Sequence, residues 1–143
     1  MKIIPIGADH AGFELKEHIR QYLIDLGYEV KDFGCFSEES IDYPDYAHPV
    51  ANMIEEHPGM RGILICGSGN GINMTANKHA GIRSALCWKK EIAELARLHN
   101  NANIMALPAR FISVDEAKEM VEVFLTTEFE GGRHQKRVEK IAL

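Results

Sequence analysis

The chain has 143 residues, of which 45% are hydrophobic and 26% are charged, and its formal net charge is −5. We expect a single domain over residues 1–143, with the composition of a soluble globular protein. The negative charge argues against nonspecific binding to nucleic acid or to an anionic membrane, because both need a broad basic surface. No apolar run approaches the ~20 residues that span a bilayer, and the start of the chain lacks a secretory signal pattern.

The three cysteines, Cys35, Cys66 and Cys87, are an odd number without metal-ligand or Cys-x-x-Cys spacing. Reduced thiols in a cytoplasmic protein are the simplest interpretation. No cluster of His, Cys or Asp residues has ligand spacing either, so the sequence predicts no metal site.

The first predicted strand covers residues 2–8, although Pro5 is awkward there because proline cannot donate to a sheet ladder. Apolar periodicity then predicts alternating helices and strands. Helices are expected over 13–26, 46–57, 72–78, 89–99, 113–125 and 133–143, and further strands over 28–33, 63–66, 82–87 and 103–107.

This alternation is typical of a doubly wound α/β domain. We expect a Rossmann-like, five-stranded parallel sheet with helices on both faces and an extra C-terminal helix. In the helix over 89–99, the spacing would turn four residues inward, namely Ile92, Leu95, Ala96 and Leu98. Ser113, with Glu116 three residues later, predicts a capping box.

Residues 62–71 are the most informative stretch: Gly-Ile-Leu-Ile-Cys-Gly-Ser-Gly-Asn-Gly. The apolar run without polar alternation is typical of a strand buried on both faces, and Cys66 ends it. A turn and a helix follow, so backbone N–H groups would gather at one point and favour anionic oxygens and a thiolate. For Cys66 alone, a small buried core residue is an equally good interpretation. The turn consists of Gly67, Ser68, Gly69, Asn70 and Gly71.

Three known glycine loops do not fit this turn. No Gly-Lys-Ser/Thr ending follows it, so it is not a Walker A loop. The next strand ends in Cys87-Trp88 rather than in an acidic residue, so a dinucleotide fingerprint is absent and no cofactor is expected. A Cys-x5-Arg phosphatase loop would need arginine at the position of Ile72. The two remaining interpretations are an oxyanion-binding turn and a plain tight turn.

Three further places carry candidate chemistry. Asp9 and His10 end the first strand and can lie beside Cys66, although a helix cap is the simpler role for Asp9 alone. His99 lies in the last turn of a helix, where the dipole suits a histidine without any function. Arg133 and Arg137 share one helix face and could hold a phosphate; a solvated face, paired with carboxylates such as Glu139, is the simpler interpretation.

Taken together, these motifs resemble one family. The motifs are Gly-x-Asp-His-x-Gly at residues 7–12, the turn at 65–71 with Ala76-Asn77-Lys78, the pair His99-Asn100, and Glu-Gly-Gly-Arg-His-Gln-x-Arg at 130–137. Their order and spacing over nearly the whole chain resemble the ribose-5-phosphate isomerase B family, which also includes galactose-6-phosphate isomerase subunits.

The resemblance implies metal-free interconversion of ribose 5-phosphate and ribulose 5-phosphate, a step of the pentose phosphate pathway. Cys66 would move a proton between C2 and C1, and His99, assisted by Asp9, would open the furanose ring. Some members have glutamate after the turn and lack the cysteine; Ile72 here implies the cysteine type. The enediolate would be bound by Ser68 and the amides of Gly69, Asn70 and Gly71, with Gly67 beside them. The phosphate would be bound by His10, Arg110, Arg133 and Arg137. Asn100 would contact a sugar hydroxyl.

Other interpretations stay open. The substrate could be a hexose 6-phosphate such as allose or galactose 6-phosphate, or the chain could be a flavodoxin-like phosphate-binding module without turnover. A subunit that needs a different chain is disfavoured, because Cys66, His99 and both tail arginines occur together. Topology adds an expectation: an eleven-residue helix carries His99 ~16 Å from the strand end at Cys66. A site that uses both residues would therefore need two copies, which predicts a homodimer, or a dimer of dimers, with shared sites.

Overall fold

The computed structural model describes residues 2–143. Its five strands are β1 (Ile3–Ala8), β2 (Glu29–Asp32), β3 (Gly62–Cys66), β4 (Ser84–Leu86) and β5 (Ile104–Pro108). Its helices are α1 (Phe13–Asp25), α2 (Pro44–Glu56), α3 (Asn70–Ala76), α4 (Lys90–Leu98), α5 (Val114–Thr126) and α6 (Arg133–Glu139). The predicted alternation of strands and helices, with an extra C-terminal helix, is confirmed.

The sheet is parallel throughout, in the order β2-β1-β3-β5-β4. One core packs α1, α4 and α5 on one face of the sheet, and a second packs α2 and α3 on the other. The predicted doubly wound arrangement is therefore correct. None of the helices described between residues 2 and 143 is long and apolar enough to cross a lipid bilayer.

The direction in which successive strands are added to the sheet reverses between β1 and β3. The chain leaves β1 through α1 on one face, then returns from β2 through α2 on the other face to enter β3. In open α/β sheets, a crevice for ligands forms outside the carboxyl ends of the strands at such a switch point. Asp9 follows β1 and Cys66 ends β3, so both lie at this crevice.

Pro5 lies opposite Lys31 in the register between β1 and β2, whereas the register between β1 and β3 begins only at Ile6, opposite Ile63. Pro5 therefore lies outside the ladder between β1 and β3. The capping box forms as predicted: the hydroxyl of Ser113 accepts from the amide of Glu116, and the Glu116 carboxylate accepts from the amide of Ser113.

The prediction for Leu95 was wrong, because its side chain is 41% exposed. Ala93 and Arg97 fill the inward positions of α4 together with Ala96. The last helix is also shorter than predicted: α6 ends at Glu139 rather than at the end of the chain. β4 is reduced to three residues at the edge of the sheet.

Candidate active site

Cys66 lies at the carboxyl end of the central strand and is 5% exposed. The chain after β5 is hydrogen-bonded to it and to the following glycine. The amide of Ala109 donates to the carbonyl of Cys66 at 2.9 Å, and the amide of Arg110 donates to that of Gly67 at 3.0 Å. The thiol is thus held between β1 and β5 at the start of the glycine turn.

The turn depends on its glycines at particular points. Gly69 has φ of +79°, and a Cβ there would collide with Leu86. Gly71 lies under the Tyr43 ring, where a Cβ would be 2.5 Å from the ring carbon Cζ. Asn70 begins α3, and the hydroxyl of Ser68 accepts from its amide at 3.3 Å. The turn therefore presents peptide groups and the exposed Ser68 next to Cys66.

Asp9 is brought beside Cys66, as predicted. Its amide donates to the carbonyl of Ile65 at 3.1 Å, and its Oδ1 accepts from the amide of Gly12 at 2.9 Å. The predicted capping role of Asp9 was wrong: the N-cap of α1 is Gly12, no side chain caps the helix, and Asp9 instead closes the turn that leads into it. A Cβ at Gly12 would be 2.5 Å from the Ile65 carbonyl oxygen, so this approach of α1 to β3 needs glycine.

His10 and Arg110 complete the group at this edge. The Nδ1 of His10 accepts from the amide of Ile41 at 3.2 Å, which ties the loop between β2 and α2 to the site. The guanidinium of Arg110 lies over the turn, with Nη1 3.1 Å from the position that a Gly67 Cβ would take. Sequence reasoning missed Tyr43; its place over Gly71 comes from the loop path, which leaves no periodic signal.

His99, Asn100, Arg133 and Arg137 do not join this group. Gly62 pairs with Ile104 and Cys66 pairs with Pro108, so the chain before Ile104 lies at the amino edge of the sheet. Four residues of strand separate the two edges by about 13 Å. His99 and Asn100 precede Ile104, and α6 packs beside His99. The chain therefore separates its candidate residues into a carboxyl-edge group and an amino-edge group.

A buried arginine fixes the loop that follows His99. Arg97 donates from Nη1 to the carbonyl of Ala102 at 2.6 Å and from Nε to that of Thr127 at 3.0 Å. Burial, together with the like charges of Arg61 and Arg83, lowers the pKa of Arg97 to about 10. The guanidinium is still charged at neutral pH, and it joins the ends of α4 and α5.

The tail arginines are exposed on α6 and form no salt bridge within residues 2–143. Glu139, the nearest candidate partner in sequence, instead accepts from Gln135 at 2.8 Å. Both guanidinium groups are thus free to meet an anion. Their neighbour His134 is buried and stacks on His99, with ring centroids 4.1 Å apart. His134 belongs to the motif at 130–137, but the sequence analysis assigned it no role.

His99, Glu130 and His134 offer ligand atoms within 4.8 Å of one another, a grouping that sequence spacing did not predict. The two imidazole planes are only 15° apart. Each ring nitrogen holds its lone pair in its own ring plane, and two stacked, nearly parallel planes do not meet at one ion, whereas metal ligands must converge. The absence of a metal from the reaction stays a prediction.

The other two cysteines have different surroundings. Burial raises the pKa of Cys87 to about 12 and also raises that of Cys35. Neither belongs to the glycine turn, which agrees with the expectation that both are structural.

The fold and the carboxyl-edge group define a doubly wound α/β protein with a small-molecule site at its topological switch point. The profile of the ribose/galactose isomerase family matches residues 4–141. The chain is 46% identical over 141 residues to ribose-5-phosphate isomerase B of Escherichia coli K12, covering 99% of this chain and 95% of that protein. This chain therefore belongs to the ribose/galactose isomerase family.

Comparison with solved structures points to the same family. A ribose 5-phosphate isomerase from Thermotoga maritima matches with a TM-score of 0.96 and 50% identity, covering 99% of this chain and 97% of that chain. Ribose-5-phosphate isomerase B from Mycoplasma genitalium, with ribulose 5-phosphate bound, matches with a TM-score of 0.93 and 42% identity, covering 97% and 93%.

Proposed function

We propose that this chain is an aldose–ketose isomerase that interconverts ribose 5-phosphate and ribulose 5-phosphate through an enediolate. The observation that carries the proposal is the position of Cys66 against the glycine turn in a chain that matches this family over residues 4–141. The names of its relatives and the ribulose 5-phosphate complex of one of them support the same substrate.

The proposed chemistry follows from the weak acidity of a C–H bond next to a carbonyl. Cys66, as the thiolate, takes the proton from C2 of the open-chain aldose and returns it to C1. The amides of Gly67, Gly69, Asn70 and Gly71 and the hydroxyl of Ser68 bind the oxygen on which negative charge develops. A single donor of this kind often lowers the barrier by about 3 kcal/mol. The base must therefore lie next to the turn, so that the donors reach the oxygen while the proton is removed.

The ring form of ribose 5-phosphate must open first. His99 donates a proton to the ring oxygen as the bond from C1 to that oxygen breaks, while the Asp9 carboxylate accepts the proton of the C1 hydroxyl. His10, Arg110, Arg133 and Arg137 bind the phosphate, and Asn100 binds a sugar hydroxyl. Anchoring the unreactive end of the sugar places C1 and C2 at the thiol.

We infer that the working unit is a homodimer, or a dimer of dimers, because each edge of one chain holds only part of this machinery. His99 and the tail arginines at the amino edge of one copy would complete the carboxyl edge of another. The carboxyl edge also exposes large apolar side chains in its loops, which a second copy would cover: Phe36, Tyr43, Trp88 and Phe111. Three free cysteines suit the cytoplasm as its location.

The direct test is turnover of ribose 5-phosphate by the purified protein, followed as formation of ribulose 5-phosphate. Allose 6-phosphate and galactose 6-phosphate, assayed side by side, distinguish a pentose from a hexose preference. We expect kcat/KM to be highest for ribose 5-phosphate. Binding of phosphorylated ligands without turnover of any of the three sugars would instead identify a binding module.

The proposed reaction transfers a proton and needs neither a metal nor a nucleotide. Protein dialysed against a strong chelator should therefore keep its full rate. Loss of activity that a divalent ion restores would overturn the proposed proton transfer by Cys66 alone.

A further inference from the structure

The His99 imidazole is in contact with another aromatic ring and forms no hydrogen bond within residues 2–143. It stacks on the His134 imidazole with centroids 4.1 Å apart and planes 15° apart. His99 follows α4 and His134 belongs to α6, so the contact joins two elements that are distant in sequence. Among residues 2–143 the His99 imidazole has no hydrogen-bond partner, and its ring stacks on that of His134.

His134 is an unusual choice if packing is its only role. Its side chain is buried, and Nε2 has no hydrogen-bond partner. Burying a polar atom without a partner is costly, and such atoms in folded proteins call for an explanation. The nearest carboxylate oxygen, Oε1 of Glu130, lies 3.6 Å from Nε2. That distance is too long for a hydrogen bond, so the exposed Glu130 carboxylate lies beside Nε2 without satisfying it.

We propose that His134, beside Glu130, is a positioning residue that holds the His99 imidazole in the orientation from which it protonates the ring oxygen of ribose 5-phosphate. The inference rests on the proposed function. His134 acts on the substrate only through His99, so its effect is confined to the step that His99 performs.

The reaction offers a way to isolate that step. Ribulose 5-phosphate cannot close to a furanose, because its C5 hydroxyl carries the phosphate. Cys66 can therefore exchange the C1 hydrogen of the ketose with solvent without any ring opening. Both reactions need Cys66, the turn and the phosphate contacts, but only turnover of the aldose also needs His99.

The test uses His134→Leu, which fills the space without an aromatic face, and His134→Phe, which restores the face. Lys136→Ala, an exposed change on the same helix, is the matched control. For each protein, kcat is measured with ribose 5-phosphate, and hydrogen exchange at C1 of ribulose 5-phosphate is followed in D2O by NMR.

We expect His134→Leu to lower kcat for the aldose about tenfold, equivalent to ~1.4 kcal/mol and near the upper value for an aromatic pair. Ketose exchange should stay within about twofold, because that reaction does not use His99. His134→Phe should recover most of the loss. Glu130→Ala, an exposed change that leaves the core intact, should shift the aldose rate in the same direction by less.

Equal losses in the two reactions would overturn the proposal, since they would show that His134 supports the whole site or touches the phosphate. Normal aldose turnover by His134→Leu would overturn it as well. If His134→Leu fails to fold, the other two variants provide the test. The proposal is contradicted if Glu130→Ala shows no aldose-specific loss. It is also contradicted if His134→Phe folds but is inactive. Failure of the proposed function looks different, because the wild-type protein would then neither turn over the aldose nor exchange the ketose.

Discussion

The three cysteines show how one residue type takes different chemical roles in different surroundings. Cys35 follows β2 and Cys87 follows β4, so neither belongs to the glycine turn, and burial raises the pKa of both thiols. Cys66 ends the central strand where the turn and Asp9 converge. The proposed base is thus distinguished by what lies next to it rather than by its exposure, since all three are buried.

Replacing Cys66 with alanine tests its role directly. We expect the fold and the binding of ribulose 5-phosphate to persist, while kcat falls about 10²–10⁴-fold, the range that a positioned general base contributes. Circular dichroism, calorimetric binding and steady-state kinetics measure the three properties. Cys87→Ala is the control and should retain kcat. Near-normal kcat in Cys66→Ala would show that another residue takes the proton.

Cys87 makes a separate prediction about stability at high pH. Its pKa is raised from 9.0 to about 12 in the folded protein. The unfolded chain therefore loses this proton first, and the stabilisation, complete below pH 9, is lost as the pH rises towards 12. Urea unfolding at pH 8 and pH 10.5 should show a smaller decrease in the free energy of unfolding for Cys87→Ala than for the wild type. Equal decreases would contradict the assignment.

At the scale of elements, a buried ion pair joins the first helix to the second strand. Lys16 of α1 is fully buried, and its Nζ lies 2.7 Å from Oδ2 of Asp32 in β2 and 3.0 Å from Oε2 of Glu17. Asp32 also accepts from the amide of Gly34 at 2.9 Å, so the pair anchors the start of the loop that reaches His10.

Lys16→Met keeps most of the volume but leaves Asp32 without its cation. Removing one partner of a fully buried pair costs about 3 kcal/mol at the lower end of the usual range. Because Asp32 is 18% exposed and water can partly solvate it, the free energy of unfolding should fall by up to that amount. Lys31→Met, a change of an exposed lysine in β2, should have little effect. Urea denaturation of the three proteins is the measurement, and similar stability for all three would contradict a stabilising pair.

Most elements could be predicted because their signals are local. Apolar runs, the Ser113–Glu116 box and the glycine turn each depend on neighbouring residues. Leu95 was misplaced because periodicity cannot tell which apolar residue of a helix faces the core, and the small Ala93 takes that place. Tyr43 and His134 were missed since their roles come from contacts between distant segments.

At the scale of the whole molecule, the separation of the two groups of candidate residues follows from connectivity. A helix that begins at the carboxyl end of its strand must end near the amino edge, as α4 does before β5 begins at Ile104. The sequence therefore predicted correctly that His99 lies away from Cys66. What one chain cannot specify is the partner surface, because the contacts that would define it lie outside the chain.

Subunit mixing tests the shared-site homodimer. Cys66→Ala and His99→Asn proteins, each inactive alone, are combined in equal amounts and allowed to exchange subunits. If the two residues of one site come from different copies, a mixed dimer has one site with both defects and one intact site. Random exchange makes about half of the dimers mixed, so roughly a quarter of wild-type activity should return.

The control is a mixture in which both partners carry Cys66→Ala, which should stay inactive, and mass spectrometry of differently tagged chains confirms the exchange. If Cys66 and His99 served a site within one chain, every site in the mixture would keep one defect. Confirmed exchange without any recovered activity would therefore rule out the shared site. The ~13 Å that the strand places between the two edges of the sheet makes recovery the expected result.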